Sequence, residues 1–150
     1  MVTFPATVSS RSSRRPGGPP GEAEVLALNP ERREQILEST KWASLFPGSL
    51  NLEVSMECVH RLLLCTPVIR EDGEGIRYPT TYASIPKLRV GYLYFHGRLR
   101  KGDRVVPVLL RRAMNPLPGR IEAFAEQSLR EALSLSDGDT LTCEVEDSAV

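Results

Sequence analysis

The sequence is poor in the residues that staple small domains or bind metals through sulfur. Its 150 residues include three cysteines and two histidines, and no two cysteines form a Cys-x-x-Cys pair. This excludes a disulfide scaffold and a zinc site built from cysteine, and it favours a reducing compartment. We expect Cys58, Cys65 and Cys143 to be small buried hydrophobic residues. His60 and His96 are not spaced as a metal-binding pair, and we expect them on a helix surface and in a hairpin.

The chain also lacks an excess of charge of either sign and any long apolar run. Its 19 basic side chains balance 19 acidic ones, which argues against a broad electrostatic grip on nucleic acid or on an acidic membrane surface. No stretch approaches the roughly 20 apolar residues of a membrane-spanning helix. The first residues lack the apolar core of a signal peptide. We therefore predict a cytoplasmic protein that binds neither nucleic acid nor membranes, and a monomer rather than an oligomer.

The composition is otherwise that of an ordinary globular domain. Hydrophobic residues make up 41% of the chain and charged residues 25%, and this length is sufficient for one hydrophobic core. The 11 glycines and 12 prolines are clustered, most densely at 16–21, where every residue is one or the other. We predict a single domain over 1–150, with a flexible Arg/Gly/Pro-rich loop at about 11–21.

Short segments of alternating hydrophobicity, separated by turn residues, predict a mainly β fold. Strands are predicted at 2–8, 24–28, 50–54, 90–95, 104–110, 121–125 and 140–145, and helices at 30–41, 56–64 and 126–133. Gly97 and 101–103 are predicted to lie in the turn of an antiparallel hairpin, and 111–119 in a loop interrupted by proline. The pattern favours a small closed or partly closed β-barrel with two or three short helices over a doubly wound parallel sheet.

The segment Pro47-Gly48-Ser49-Leu50-Asn51 is a turn that enters a strand. Alternation along the strand places Ser49 and Asn51 on one face. Hydroxyl and amide oxygens are hard, neutral ligands that suit Mg²⁺. An amphipathic strand whose polar residues face water explains the same pattern, and the residues alone leave that alternative open.

Two further segments could contact a polar ligand. The glycines of 14–23 would let backbone N–H groups approach phosphate, and its arginines add charge, although a flexible linker is the simpler interpretation of that composition. Glu122, on a predicted strand, could accept a hydrogen bond from a ligand or act as base for a hydroxyl, or it could be solvated or salt-bridged. Tyr92 and Tyr94 are typical of strand packing or of an aromatic wall. The chain contains no P-loop, no Gly-x-Gly-x-x-Gly and no Gly-x-Ser-x-Gly motif.

Taken in order, these segments resemble the archaeal-type, CTP-dependent riboflavin kinase family. That family has a segment reading roughly V-x-S-G-x-G-E-G near its start, then P-G-T-L-N, then I-E-x-x-A followed by L-R-x-x-L-x-L-x-D-G-D. The corresponding segments in this chain are 8–10 with 21–23, 47–51, 121–125 and 129–139, and 90–92 stands in place of an F-G-x-V strand of the family.

The resemblance implies a six-stranded cradle-loop β-barrel. It implies a kinase that transfers the γ-phosphate of CTP to the 5′-hydroxyl of riboflavin, giving FMN and CDP. Ser49 and Asn51 would hold Mg²⁺, and Glu122 would bind the flavin and orient the attacking hydroxyl as the catalytic residue. Met114 would also contact the flavin. The residues implied in nucleotide binding are Gly21, Glu22, Ala23, Pro47, Gly48, Gln127, Ser128, Leu129 and Arg130.

The chain departs from the family pattern in three places. Ala23 replaces the third glycine of the loop, 11–20 are extra residues, and 111–115 do not show the family's Arg-Thr-x-Tyr segment. Because of these differences, the sequence does not decide whether CTP or ATP is the phosphoryl donor. They also motivate an alternative, a non-catalytic or re-purposed barrel that binds a nucleotide, a flavin or a protein partner.

Overall fold

The computed structural model describes residues 1–9, 30–71, 77–80, 83–88, 91–113 and 119–146. These residues form nine strands and three short helices. The strands are β1 (Val2–Val8), β2 (Leu50–Glu53), β3 (Ile69–Glu71), β4 (Arg77–Thr80), β5 (Ala83–Leu88), β6 (Tyr92–Lys101), β7 (Arg104–Ala113), β8 (Arg120–Phe124) and β9 (Thr140–Val145). The helices are α1 (Pro30–Thr40), α2 (Met56–Arg61), which a 3₁₀ turn at Leu62–Leu64 continues, and α3 (Leu129–Ala132).

Six of these strands close into an antiparallel β-barrel. Their order is β6–β7–β8–β2–β1–β9, and β9 pairs with β6 to complete the circle. One edge of β6 serves two partners, since its first residues pair with β3 and its later residues with β9. Strands β4 and β5 pair with each other in a separate two-stranded sheet. The predicted mainly β, six-stranded barrel with short helices is confirmed.

The core fills the inside of the barrel with alternate residues from each strand. Along β1, Val2, Phe4, Ala6 and Val8 are buried while Thr3 and Pro5 are exposed, as expected for a strand with one face in the core. The same core cluster includes side chains from the other barrel strands and from the α2 and α3 regions, among them Leu52, Val59, Leu62, Leu99, Leu110, Leu129 and Leu133.

A second, smaller apolar cluster lies on the outer face of the barrel. Tyr94 of β6 and Leu109 of β7 belong to it, whereas their neighbours Phe95 and Leu110 belong to the core inside. Ile36, the one buried residue of α1, packs into this outer cluster, so the helix lies on the barrel surface with one edge buried. The remaining buried members are Leu45, Ile69 and Phe124.

The sequence-based strand limits are wrong at two positions that matter for the site. Gly97 lies in the middle of β6 rather than in a turn, because β6 and β7 pair continuously from Tyr92 to Lys101 and the turn consists of Gly102 and Asp103. Arg111 lies in β7 rather than in a loop. His96 lies in the β6–β7 hairpin, as expected, where it is a half-buried strand residue.

The structure also tests the predicted limits of the third helix and the predicted state of the cysteines. The helix predicted at 126–133 begins only at Leu129, because Ser128 is extended and caps it. All three cysteines are buried, free thiols, as expected. The predicted loop at 11–21 and strand at 24–28 lie outside the described residues. In the part of the chain that the structure describes, no helix combines the length and apolar character needed to cross a membrane.

Gly97 allows β6 and β9 to approach closely where the barrel closes. A Cβ atom at this position would lie 2.6 Å from the carbonyl oxygen of Glu144. We expect Gly97→Ala to lower the free energy of unfolding by about 1–3 kcal/mol, measured by urea denaturation. Gly102→Asn is the control, because Gly102 has φ of 60° in open space, and asparagine tolerates that conformation with a change within about 0.5 kcal/mol. Equal losses in the two variants would contradict the close approach.

Ion pairs also tie β6 to the β9 region. Lys101 Nζ lies 2.9 Å from Asp139 Oδ2, and Arg100 Nε lies 2.7 Å from Glu144 Oε1. The backbone N–H of Ser136, with Lys101, lowers the pKa of Asp139 from its usual 3.8. A hydrogen bond from Arg100, reinforced by Arg98, lowers the pKa of Glu144 from its usual 4.5.

These lowered pKa values predict acid sensitivity of the closed barrel. Below the usual pKa values the unfolded chain binds protons that the folded protein does not, so the stabilisation is present at neutral pH and lost as pH falls through the folded-state pKa values. Urea denaturation from neutral to acid pH should show a smaller loss of stability for Asp139→Asn/Glu144→Gln than for the unaltered protein. An identical loss of stability in both proteins would show that Asp139 and Glu144 are not the source of the acid sensitivity.

Candidate functional site

The register of the sheet aligns four polar residues in one row on the outside of the barrel. Asn51 pairs with Glu122 across β2 and β8, Glu122 with Arg111 across β8 and β7, and Arg111 with Tyr94 across β7 and β6. Residues directly opposite each other in antiparallel strands point to the same face, with Cβ atoms about 4.5–5.5 Å apart. We call Asn51, Glu122, Arg111 and Tyr94 the outer row.

An ion pair with a buried cation lies at the centre of the outer row. Arg111 Nη2 donates to Glu122 Oε2 at 2.6 Å, and the two side chains are 2% and 18% exposed. The guanidinium of Arg111 lies 4.1 Å from the ring centroid of Tyr92 and 5.3 Å from that of Phe124. Stacking against aromatic rings suits the planar, delocalised arginine cation. Glu122 is therefore a carboxylate anchored from beneath by a cation that solvent hardly reaches.

Tyr94, which is fully buried, links the outer row to helix α1. Its hydroxyl donates to Glu71 Oε2 at 3.3 Å, and that same oxygen lies 3.4 Å from Arg32 Nη2. The Arg32 guanidinium also lies 5.7 Å from the Tyr94 ring centroid. Burial raises the pKa of Tyr94, and Arg111 opposes that shift only in part. Tyr94 is therefore a neutral hydrogen-bond donor at physiological pH, and these contacts fix α1 against the row.

The two predicted magnesium ligands lie at the other end of the row. Asn51 belongs to β2 and Ser49 comes just before that strand, and both are half-buried. Within the described part of the chain, neither side chain makes a hydrogen bond. Two neutral oxygen donors fit Mg²⁺, which usually keeps several ligands as water and phosphate. The described residues contain no group of three or more His, Cys, Asp or Glu that could hold a metal without such help.

Ser9, at the end of β1, joins two of the predicted binding segments. Its backbone N–H donates to the Asn51 carbonyl at 2.9 Å, and its own carbonyl accepts from Arg130 Nη2 at 2.9 Å. Arg130 is held in turn by Asp137, with Nη2 2.7 Å from Oδ1. Ser9 is thus bonded to both β2 and the α3 region.

The predicted nucleotide-binding residues at 127–130 differ in their exposure to solvent. Ser128 caps the helix, its hydroxyl accepting from the Glu131 N–H at 3.4 Å. Gln127 is exposed and Arg130 is half-buried. Leu129 is only 5% exposed because it packs in the barrel core. Its backbone, not its side chain, is the part that could face a ligand.

The Pro47-Gly48 turn runs beside the end of β8. The Phe46 N–H donates to the Ala125 carbonyl at 2.9 Å, which carries the turn past the end of the strand that bears Glu122. Pro47 is exposed and Gly48 is half-buried, and a Cβ on Gly48 would lie 2.8 Å from Cε1 of the Phe46 ring. The remaining predicted site residues, Gly21, Glu22, Ala23 and Met114, lie outside the described residues.

Arg111 is the site residue that sequence reasoning missed. The sequence-based interpretation ends the strand at Leu110, because prolines follow, and it therefore assigns Arg111 to a loop. The available signal was alternation: if the strand continues, Arg111 shares a face with Leu109, and Arg112 shares the inner face with Leu110. Its pairing with Glu122 depends on the β7–β8 register, which alternation within one strand does not reveal.

No protein-family model matches the sequence, and no curated protein matches it at a significant level.

Proposed function

We propose that this protein is a magnesium-dependent kinase that transfers the γ-phosphate of CTP to the 5′-hydroxyl of riboflavin, producing FMN and CDP. The observation that supports this most directly is the meeting of the segments that carry the family resemblance. Asn51 of the P-G-S-L-N segment is the register partner of Glu122 of the I-E strand. Ser9 bonds both to Asn51 and, across 121 positions of sequence, to Arg130.

The reaction joins the 5′-oxygen of riboflavin to the γ-phosphorus and breaks the bond from that phosphorus to the bridging oxygen of CDP. The hydroxyl proton is released to solvent. Glu122 accepts a hydrogen bond from the attacking hydroxyl and orients its oxygen toward the phosphorus, since catalysis of this kind depends on positioning and charge neutralisation.

Ser49 and Asn51 would hold the metal. Bound Mg²⁺ would supply neutralisation of the charge on the transferred phosphoryl group. Ser49 stands where the family has threonine and retains the hydroxyl ligand. Because both ligands are neutral, they leave the full charge of the cation to act on the nucleotide phosphates. Arg130, which donates to the Ser9 carbonyl, adds positive charge on the nucleotide side.

The proposal is tested by direct assay. The purified protein is incubated with riboflavin and Mg²⁺, with CTP or ATP in separate reactions, and FMN is detected by chromatography with fluorescence detection. We expect FMN with CTP and little with ATP. If FMN forms with ATP alone, the protein is a riboflavin kinase but the assignment of CTP as its phosphoryl donor is wrong. No FMN from folded protein would overturn the kinase proposal and favour the non-catalytic barrel, whose nucleotide and riboflavin binding would then be measured by calorimetry.

The metal assignment predicts the effect of removing both oxygen ligands. Ser49→Ala/Asn51→Ala should lower the rate of FMN formation about tenfold or more and raise the Mg²⁺ concentration needed for half-maximal rate. Calorimetry should show weaker Mg²⁺-dependent binding of CTP and unchanged binding of riboflavin. Thr142→Ala, on β9, is the control. A double variant with the wild-type Mg²⁺ dependence would show that these residues do not bind the metal.

A further inference from the structure

The Arg111–Glu122 pair differs in its exposure from the arginine–Glu144 pairs that link β6 to β9. The Arg130–Asp137 pair has the same order as Arg111–Glu122, but both of its groups are more accessible, at 15% and 49% exposed. Where Arg98 and Arg100 meet Glu144, the cations are 43% and 44% exposed and the carboxylate is 10% exposed. In the outer row the order is reversed, with the cation 2% and the carboxylate 18% exposed. The Glu144 pairs point their cations at solvent, whereas the Arg111 pair presents its carboxylate to the surface.

Burial of the cation is difficult to explain by stability alone. Removing charges from water is costly, and a buried ion pair is often no more stabilising than apolar side chains of the same volume. Apolar neighbours are present on this face, since Leu109 and Phe124 pack in the same outer cluster. An ion pair at this place therefore suggests a requirement for a carboxylate in a fixed position.

The surroundings of Arg111 restrict where its guanidinium can lie. The rings of Tyr92 and Phe124 lie against it, at 4.1 and 5.3 Å, and the Tyr94 ring centroid is 6.0 Å away. Tyr94 is itself held through Glu71 and Arg32. A cation confined in this way limits the rotamers of the carboxylate bonded to it. A catalytic site requires such support, because its reacting groups must be held in one orientation.

We propose that Arg111 is a positioning residue, which holds the Glu122 carboxylate in the orientation that accepts the 5′-hydroxyl of riboflavin. This inference rests on the proposed function. Arg111 acts through Glu122 and does not touch the substrate. It also offsets the negative charge of Glu122 close to the nucleotide phosphates. A lysine would keep the charge but lose the planar fork and the ring stacking, so it should not replace arginine in this role.

The test compares Arg111→Lys and Arg111→Met with Arg100→Met, which breaks an arginine–carboxylate bond of 2.7 Å at the β6–β9 closure. Steady-state rates are measured against riboflavin and against CTP, and riboflavin binding is followed by quenching of flavin fluorescence. For Arg111→Lys we expect kcat/KM for riboflavin to fall about tenfold or more, with a raised KM for riboflavin, weaker riboflavin binding, and a KM for CTP within about twofold of wild type. Arg100→Met should leave all four quantities near wild type.

The outcomes separate a positioning role from a structural one. Loss of folded protein lowers the apparent kcat and leaves both KM values unchanged, so that pattern in Arg111→Lys would overturn the proposal. Wild-type kinetics in Arg111→Lys would overturn it as well, while leaving the kinase function intact. If the unaltered protein forms no FMN, the proposed function fails, and this role of Arg111 fails with it. If Arg111→Met does not fold, Arg111→Lys alone provides the result.

Discussion

The pairing of β6 with β9 is the constraint on which the rest of the structure depends. It turns an open sheet into a closed barrel and assigns one face of every barrel strand to the core. Because side chains alternate along a strand, a slip of one residue would exchange the two faces. The close approach of Gly97 to the Glu144 carbonyl and the ion pairs of Lys101 and Arg100 hold this closure in register. The outer row lies on the opposite face of the strands from the core, and its own alignment is set by the β2–β8, β8–β7 and β7–β6 pairings.

Two adjacent arginines of β7 show how the alternation of side chains along a strand separates the two faces of the barrel wall. Arg111 points outward, to Glu122 and the aromatic rings, while Arg112 points inward, where its Nη1 donates to the Val59 carbonyl at 3.2 Å. Burial lowers the pKa of Arg112 below its usual value. Its bond to Val59 ties the inner face of β7 to α2. The same residue type thus has a structural role on one face and a place in the candidate site on the other. The difference between the two roles comes from strand parity alone.

The parts of the fold that were predicted from the sequence are those that local patterns specify. The strands predicted at 2–8 and 140–145 match β1 and β9, and the helix predicted at 30–41 matches α1 to within one residue. Gly97 and Arg111 were assigned wrongly because glycine and nearby prolines usually end strands, whereas ten-residue pairing of β6 with β7 overrides those local preferences. Asn51 and Glu122 were both predicted as site residues. Their direct pairing, and the cation behind Glu122, depend on contacts between distant strands.

The proposed reaction requires a site that tolerates a highly anionic substrate, and the outer row would meet that requirement through the Arg111–Glu122 pair. A bare carboxylate beside Asn51 would repel a nucleotide triphosphate in a region of low dielectric constant, where such repulsion is strong. Arg111 removes most of that repulsion from behind while Glu122 keeps its capacity to accept a hydrogen bond. Ser49 and Asn51 add no negative charge of their own. In the proposed reaction, Glu122 can therefore orient the hydroxyl while Ser49 and Asn51 bind the metal that carries the phosphates. The Arg111 cation limits the repulsion between the Glu122 carboxylate and those phosphates.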